Sequence, residues 1–130
     1  MEAASPLRER IRVLIVDDQE LFVEALAAIL SVEERIEVVG RARDGAEGVE
    51  LAKTLAPDVV LMDISMPVMD GLEATRAIRE RDPDARVVMV TGSNSRFDVD
   101  RAKAAGASGY VTKDKIAADL VDAIVEVASR

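Results

Sequence analysis

The strongest constraint in this sequence is an alternation. Five short apolar runs, IRVLIV (11–16), IEVVGRA (36–42), DVVLMD (58–63), ARVVMVT (85–91) and ASGYVT (107–112), are separated by segments of helical period. That is the pattern of a repeated βα unit. The first, third and fourth runs are almost unbroken in Val, Leu, Ile and Met. Strands read that way when helices cover both faces of a parallel sheet, so these three are expected at its centre. Phe22, Leu26, Ile29 and Leu30 form one helical stripe, and Ile116, Leu120, Ile124 and Val127 form another. Asp44 with Glu47, and Asp70 with Glu73, have capping-box spacing and predict helices starting near Gly45 and Gly71. A further helix is expected over 96–105, closed by Gly106. Right-handed crossovers then give a three-layer αβα sandwich around a five-stranded parallel sheet.

A chain of 130 residues suits one domain with one substantial core. The expected division is an N-terminal tail over 1–10 and a folded domain over 11–130. The opening MEAASPLRER lacks the apolar stretch of a signal peptide. No apolar run approaches the roughly 18 residues of a membrane span. The expectation is a soluble, cytoplasmic protein without membrane contact.

The sequence has no cysteine and no histidine. Disulfides, thiolate nucleophiles, Ser-His-Asp chemistry and His-ligated zinc are thereby excluded. Carboxylate, hydroxyl and lysine remain as reactive groups. A net charge of −8 has the wrong sign for neutralising a phosphate backbone, so direct nucleic-acid binding is not expected.

In an all-parallel sheet the C-terminal strand ends share one edge, where open α/β sheets place their ligands. Here the first strand ends in Asp17 and Asp18, the third in Asp63 and the fourth in Thr91, while Lys113 follows the fifth. Carboxylates crowded near an apolar sheet repel unless a cation compensates. Mg²⁺ suits a sparse acidic trio because it takes one or two carboxylates and keeps several waters. Asp63 and Asp18 are candidate direct ligands, with Asp17 acting through water and the Ser65 backbone carbonyl completing the set. A carboxylate can also attack phosphorus to form an acyl phosphate, which makes Asp63 the candidate nucleophile. Lys113 would supply a second cation and Thr91 a hydroxyl to the phosphoryl group, with Gly92 leaving room for approach. Each acid alone could be a helix cap or a turn former. The combination is what points to phosphoryl chemistry.

The ordered set VDD (16–18), MDISMP (62–67), MDG (69–71), VTG (90–92) and YVTK (110–113) resembles a two-component response regulator receiver of the CheY-like kind, from Ile11 to about Val127. The resemblance implies a flavodoxin-like sheet of order 2-1-3-4-5. It implies Asp63 as phosphoacceptor, Asp17 and Asp18 as the acidic metal pair, and Lys113 as the phosphate-contacting lysine. Thr91 and Tyr110 match the family's switch pair, which would alter the face made by the fourth helix, fifth strand and fifth helix. A sensor histidine kinase is the implied phosphodonor, and a phosphorylation-dependent homodimer a further implied partner. Asp114 stands where many relatives have proline, and is expected to cap the last helix.

The expected role is a signalling switch promoting only its own phosphorylation and dephosphorylation, either a stand-alone receiver or the regulatory half of a transcription regulator. A phosphatase with an aspartyl-phosphate intermediate would need more substrate-binding machinery than these short loops offer. A nucleotide-binding module would need a G-x-G-x-x-G or Walker loop after the first strand, and neither stands there.

Overall fold

The computed structural model describes residues 10–130. The chain runs β1 (Ile11–Val16), α1 (Glu20–Ser31), β2 (Ile36–Ala42), α2 (Gly45–Leu55), β3 (Val59–Met62), α3 (Gly71–Arg81), β4 (Val87–Thr91), α4 (Arg96–Ala105), β5 (Gly109–Thr112), a 3₁₀ turn (Lys113–Lys115) and α5 (Ile116–Ala128). All strand pairs are parallel and the order is β2-β1-β3-β4-β5, as the resemblance implies. The expected tail falls mainly on residues 1–9, outside the described residues. Arg10 is described, and its guanidinium donates to the Ile36 carbonyl at 2.9 Å.

Alternation along each strand builds the layers. Val13, Ile15, Val59, Leu61, Val88 and Val90 face α1 and α5, which contribute Val23, Leu26, Leu30, Leu120, Ile124 and Val127. Leu14, Val16, Val60, Met62, Val87 and Met89 face the other way, toward Leu72 and Ile78 of α3 and Ala102 and Ala105 of α4. Because β1, β3 and β4 are covered on both faces, their runs show no polar alternation. Each large buried side chain contributes about 1.5–3 kcal/mol. Packing of the Leu120, Ile124 and Val127 face therefore outweighs the tenths of a kcal/mol that helix propensity supplies to α5.

The helix starts follow the predicted chemistry. Asp44 accepts from the Glu47 N–H at 2.8 Å and Asp70 from the Glu73 N–H at 2.9 Å. The reciprocal arm at α2 is displaced by one residue, with Glu47 Oε1 accepting from the Arg43 N–H at 2.8 Å. Gly106 takes a left-handed φ of 104° and closes α4.

Two expectations need correction. The stripe of α1 buries Val23 with Leu26 and Leu30, whereas Phe22 and Ile29 are only half-buried. Asp114 does not cap α5: it is exposed inside the 3₁₀ turn, Lys115 holds the position before the helix, and no side chain caps it. A capping residue must be extended to reach the first helical N–H groups. The turn instead winds directly into α5, with Lys115 at φ −119° and ψ 14°.

Candidate functional site

The C-terminal ends of β1 and β3 are tied by ladder bonds that continue past the strands. Asp17 N–H donates to Ala42 O, and Asp63 N–H donates to Val16 O, each at 3.0 Å. Two acidic residues are thus fixed by backbone before any side-chain contact is counted. The chain beyond Asp63 turns at Pro67–Val68–Met69, where the Met69 N–H reaches Pro67 O at 2.7 Å and Val68 adopts φ 69°. It returns so closely that a Cβ at Gly71 would sit 1.9 Å from the Asp63 carbonyl oxygen. Only glycine permits that approach, which explains the glycine of the MDG motif and sets the Asp63 backbone rigidly against the start of α3.

Carboxylate oxygens of Asp17, Asp18 and Asp63 lie within 4.8 Å of one another. Asp17 and Asp63 are nearly inaccessible, at 3% and 6% exposure, while Asp18 is open to solvent. Lys113 enters from the far side of the sheet, placing Nζ 3.1 Å from Asp17 Oδ2 and 3.8 Å from Asp63 Oδ2. Burial, and then the charge of Asp17, push the Asp63 carboxyl up to about 6. The Lys113 ammonium, the Ile64 N–H and the Thr91 hydroxyl pull the other way without overcoming them. A carboxylate held against its own desolvation and a like charge has a standing demand for positive charge. The donors are all hard oxygens, two buried and one exposed, so the set fits a small divalent cation with part of its shell left to water.

The structure brings together Asp17, Asp18, Asp63 and Lys113, with buried Thr91 beside Asp63. Ser65 is exposed in the following loop. A Cβ built on Gly92 meets nothing within 4 Å, so the pocket is open on that side, as expected. Tyr110 lies apart from the acids. It is half-buried against the α3–α4 layer, and its hydroxyl donates to Ser93 O at 2.7 Å. Burial, then the charge of Asp98, raise the Tyr110 phenol above its ordinary value.

Two sets of contacts go beyond what the sequence indicates, where Ser93 is expected only to influence an attacking water and Phe22 to lie on the α1 stripe. Ser93 Oγ donates to Asp98 Oδ2 at 2.5 Å, and Arg101 donates to Asp98 Oδ1 at 3.0 Å, so the loop after Thr91 is bonded to the first turns of α4. Gln19 and Phe22 both contact Lys113. Serines beside an aspartate read as helix caps, and Phe22 reads as core. Nothing local signals either contact.

The sequence matches the response regulator receiver domain family over residues 13–125. The chain belongs to that family. The receiver is 45% identical over 114 residues to the transcriptional regulatory protein LiaR of Bacillus subtilis, covering 88% of this chain and 54% of that protein. It is 42% identical over 116 residues to the chemotaxis protein CheY of Halobacterium salinarum, covering 89% of this chain and 95% of that one. A LuxR-family two-component response regulator from Aurantimonas superposes with a TM-score of 0.89 at 36% identity, covering 92% of this chain and 86% of the other. The receiver spans about half the length of the curated transcriptional regulators it matches. Receivers are signalling domains that interact with histidine kinases and bind Mg²⁺ at clustered acids, and Asp17, Asp18 and Asp63 form such a cluster. Among the described residues no helix is long and apolar enough to cross a membrane.

Proposed function

We propose that this receiver is a phosphorylation-dependent switch in which Asp63 accepts a phosphoryl group from a sensor histidine kinase. The observation that carries the proposal is the state of Asp63: a buried carboxylate beside a second buried acid, with an ammonium 3.8 Å away and open space next to Gly92. An Asp63 oxygen attacks phosphorus as the bond from phosphorus to the donor's imidazole nitrogen breaks, and that nitrogen keeps the electron pair. Lys113 offsets charge on the phosphoryl oxygens, and the Thr91 hydroxyl donates to one of them. Asp17, Asp18 and Asp63, with the Ser65 carbonyl as a further oxygen, would hold Mg²⁺. When bound, the cation supplies charge neutralisation for both the acids and the incoming group.

Movement of Thr91 toward the phosphoryl group would pull on the loop that the Tyr110 hydroxyl grips at Ser93 O. That route leads to α4, β5 and α5, the face through which an output or a second copy would be engaged. Likeness to LiaR and other transcriptional regulatory proteins about twice as long supports reading the chain as the regulatory half of a transcription regulator in the cytoplasm. In this reading the receiver promotes only its own phosphorylation and dephosphorylation. Neither this segment's net charge nor its site favours direct nucleic-acid binding.

Incubation with acetyl phosphate and Mg²⁺ should add one phosphate by intact-mass analysis, and EDTA should prevent it. An adduct that persists undiminished in Asp63→Asn, or no adduct on the wild type, refutes the proposal.

A further inference from the structure

Lys113 is gripped from the start of α1 as well as by the acids. Its Nζ donates to Gln19 Oε1 at 2.7 Å, nearer than Asp17 Oδ2 at 3.1 Å or Asp63 Oδ2 at 3.8 Å. The Phe22 ring lies under the same ammonium, 4.1 Å from Nζ to its centroid. Gln19 also gives its backbone N–H to Asp17 Oδ1 at 2.8 Å, so one residue touches both an acid of the cluster and the lysine.

Gln19 occupies the cap position of α1 with extended backbone, yet its side chain makes no capping bond. Ser, Thr, Asp or Asn would satisfy the helix N–H groups there. A poor cap whose amide turns instead to an ammonium 94 residues away breaks a local rule in favour of the site. Phe22 adds a second hold. It packs against the core from α1, remains half-buried, and offers its face to a cation that is itself largely withdrawn from water.

We infer that Gln19 and Phe22 are positioning residues for Lys113, holding its ammonium on the Asp17 side of the pocket and out of hydrogen-bond contact with Asp63. The inference rests on the phosphoacceptor reading of Asp63. A lysine head is a compact charge on a flexible stem, and it settles on the best acceptor within reach. With the amide acceptor removed, Lys113 closes the 3.8 Å gap and pairs with the Asp63 carboxylate. The oxygens that should attack phosphorus are then occupied. With the amide in place, the nucleophile stays free while the cation waits beside it.

The test compares Gln19→Met, which keeps length but loses the acceptor, with Gln19→Glu, which keeps both. Nitrogen-15 NMR of the Lys113 ammonium in the metal-free full chain reads the hold directly, and acetyl phosphate with Mg²⁺ reads the consequence. Wild type and Gln19→Glu should keep the Lys113 ammonium at one chemical shift, and Gln19→Met should displace that signal as the ammonium leaves position 19 for Asp63. Gln19→Met should be phosphorylated about tenfold more slowly, the size expected for a hydrogen bond to a charged group. Phe22→Leu, which keeps apolar bulk but removes the ring face, should slow it about threefold. An unchanged ammonium signal and rate in Gln19→Met, or equal losses in the Met and Glu variants, overturns the inference. If wild type accepts no phosphate while Gln19→Met still displaces the ammonium signal, the phosphoacceptor reading fails and the hold on Lys113 stands.

Discussion

Strand β3 is bracketed by two aspartates, Asp58 and Asp63, in opposite circumstances. Asp58 is exposed, and its Oδ2 accepts the Arg12 N–H at 2.8 Å while its own N–H donates to Arg12 O at 2.8 Å. The Arg12 guanidinium in turn donates to Leu55 O and Ala56 O at 2.7 and 2.9 Å. Charges at that end of the sheet complete backbone groups that strand and helix ends leave unpaired. Asp63, at the other end of the same strand, is buried against Asp17 and only approached by Lys113. Residue type and strand adjacency are the same at both sites. The difference comes from the edge at which carboxylates from neighbouring strands converge without enough donors to satisfy them, which is what the proposed reactivity of Asp63 draws on.

The largest effect that would break this contrast lies with Lys113. If its ammonium stabilises charge on the transferring group, Lys113→Met should lower the phosphorylation rate of Asp63 about 10²-fold, as loss of one preorganised charge donor does. Time courses by intact mass with acetyl phosphate and Mg²⁺ measure it, with Asp58→Ala as the control expected to match wild type. A Lys113→Met rate equal to wild type would mean that the two ends of β3 differ only in burial.

The next effect is on stability and has a definite sign. The folded Asp63 carboxyl titrates at about 6 against an ordinary 3.8, so between these values the native state binds more protons than the unfolded one. Native stability therefore falls as pH rises through that window, and the full cost is present above it. Asp63→Asn removes the cost. Without divalent cations the variant should be more stable than wild type by about 1–2 kcal/mol at pH 7.5, after allowance for solvent screening. The difference should vanish near pH 4. Urea denaturation at both pH values in EDTA checks it. A variant less stable than wild type at pH 7.5 would show that Asp63 is a satisfied structural group like Asp58.

The convergence at the reactive edge was legible because it follows from topology. Once five parallel strands are read, Asp17, Asp18, Asp63, Thr91 and Lys113 must share one edge, and the structure places all five there. Strand ends were legible less well. The third run was expected over 58–63 but β3 spans Val59–Met62, although the N–H groups of both flanking aspartates still donate to β1, Asp58 to Arg12 O and Asp63 to Val16 O. Contacts between side chains on separate elements left no local trace. Gln19 and Lys113 meet across 94 positions. Phe22 fits a helical stripe in sequence, yet the helix rotation buries Val23 in its place. Asp114 looked like a cap because the pattern could not reveal that the 3₁₀ turn runs unbroken into α5.

The smallest predicted effect sharpens the comparison from the structural side. Asp58→Ala removes the acceptor of the Arg12 N–H at the start of β1 and changes nothing at the reactive edge. Because that N–H lies at an exposed site, water replaces the carboxylate, and the cost should be about 0.5–1 kcal/mol and not the larger penalty of an orphaned buried donor. Urea denaturation should show a lower midpoint at an unchanged slope, which locates the loss in the native state and not in the compactness of the unfolded chain. The loss should also be the same with and without Mg²⁺, whereas the stability difference between wild type and an Asp63 variant should change with the cation. A Mg²⁺-dependent cost at Asp58 would connect the two ends of β3 and end the distinction between a carboxylate that completes the backbone and one that waits for a ligand.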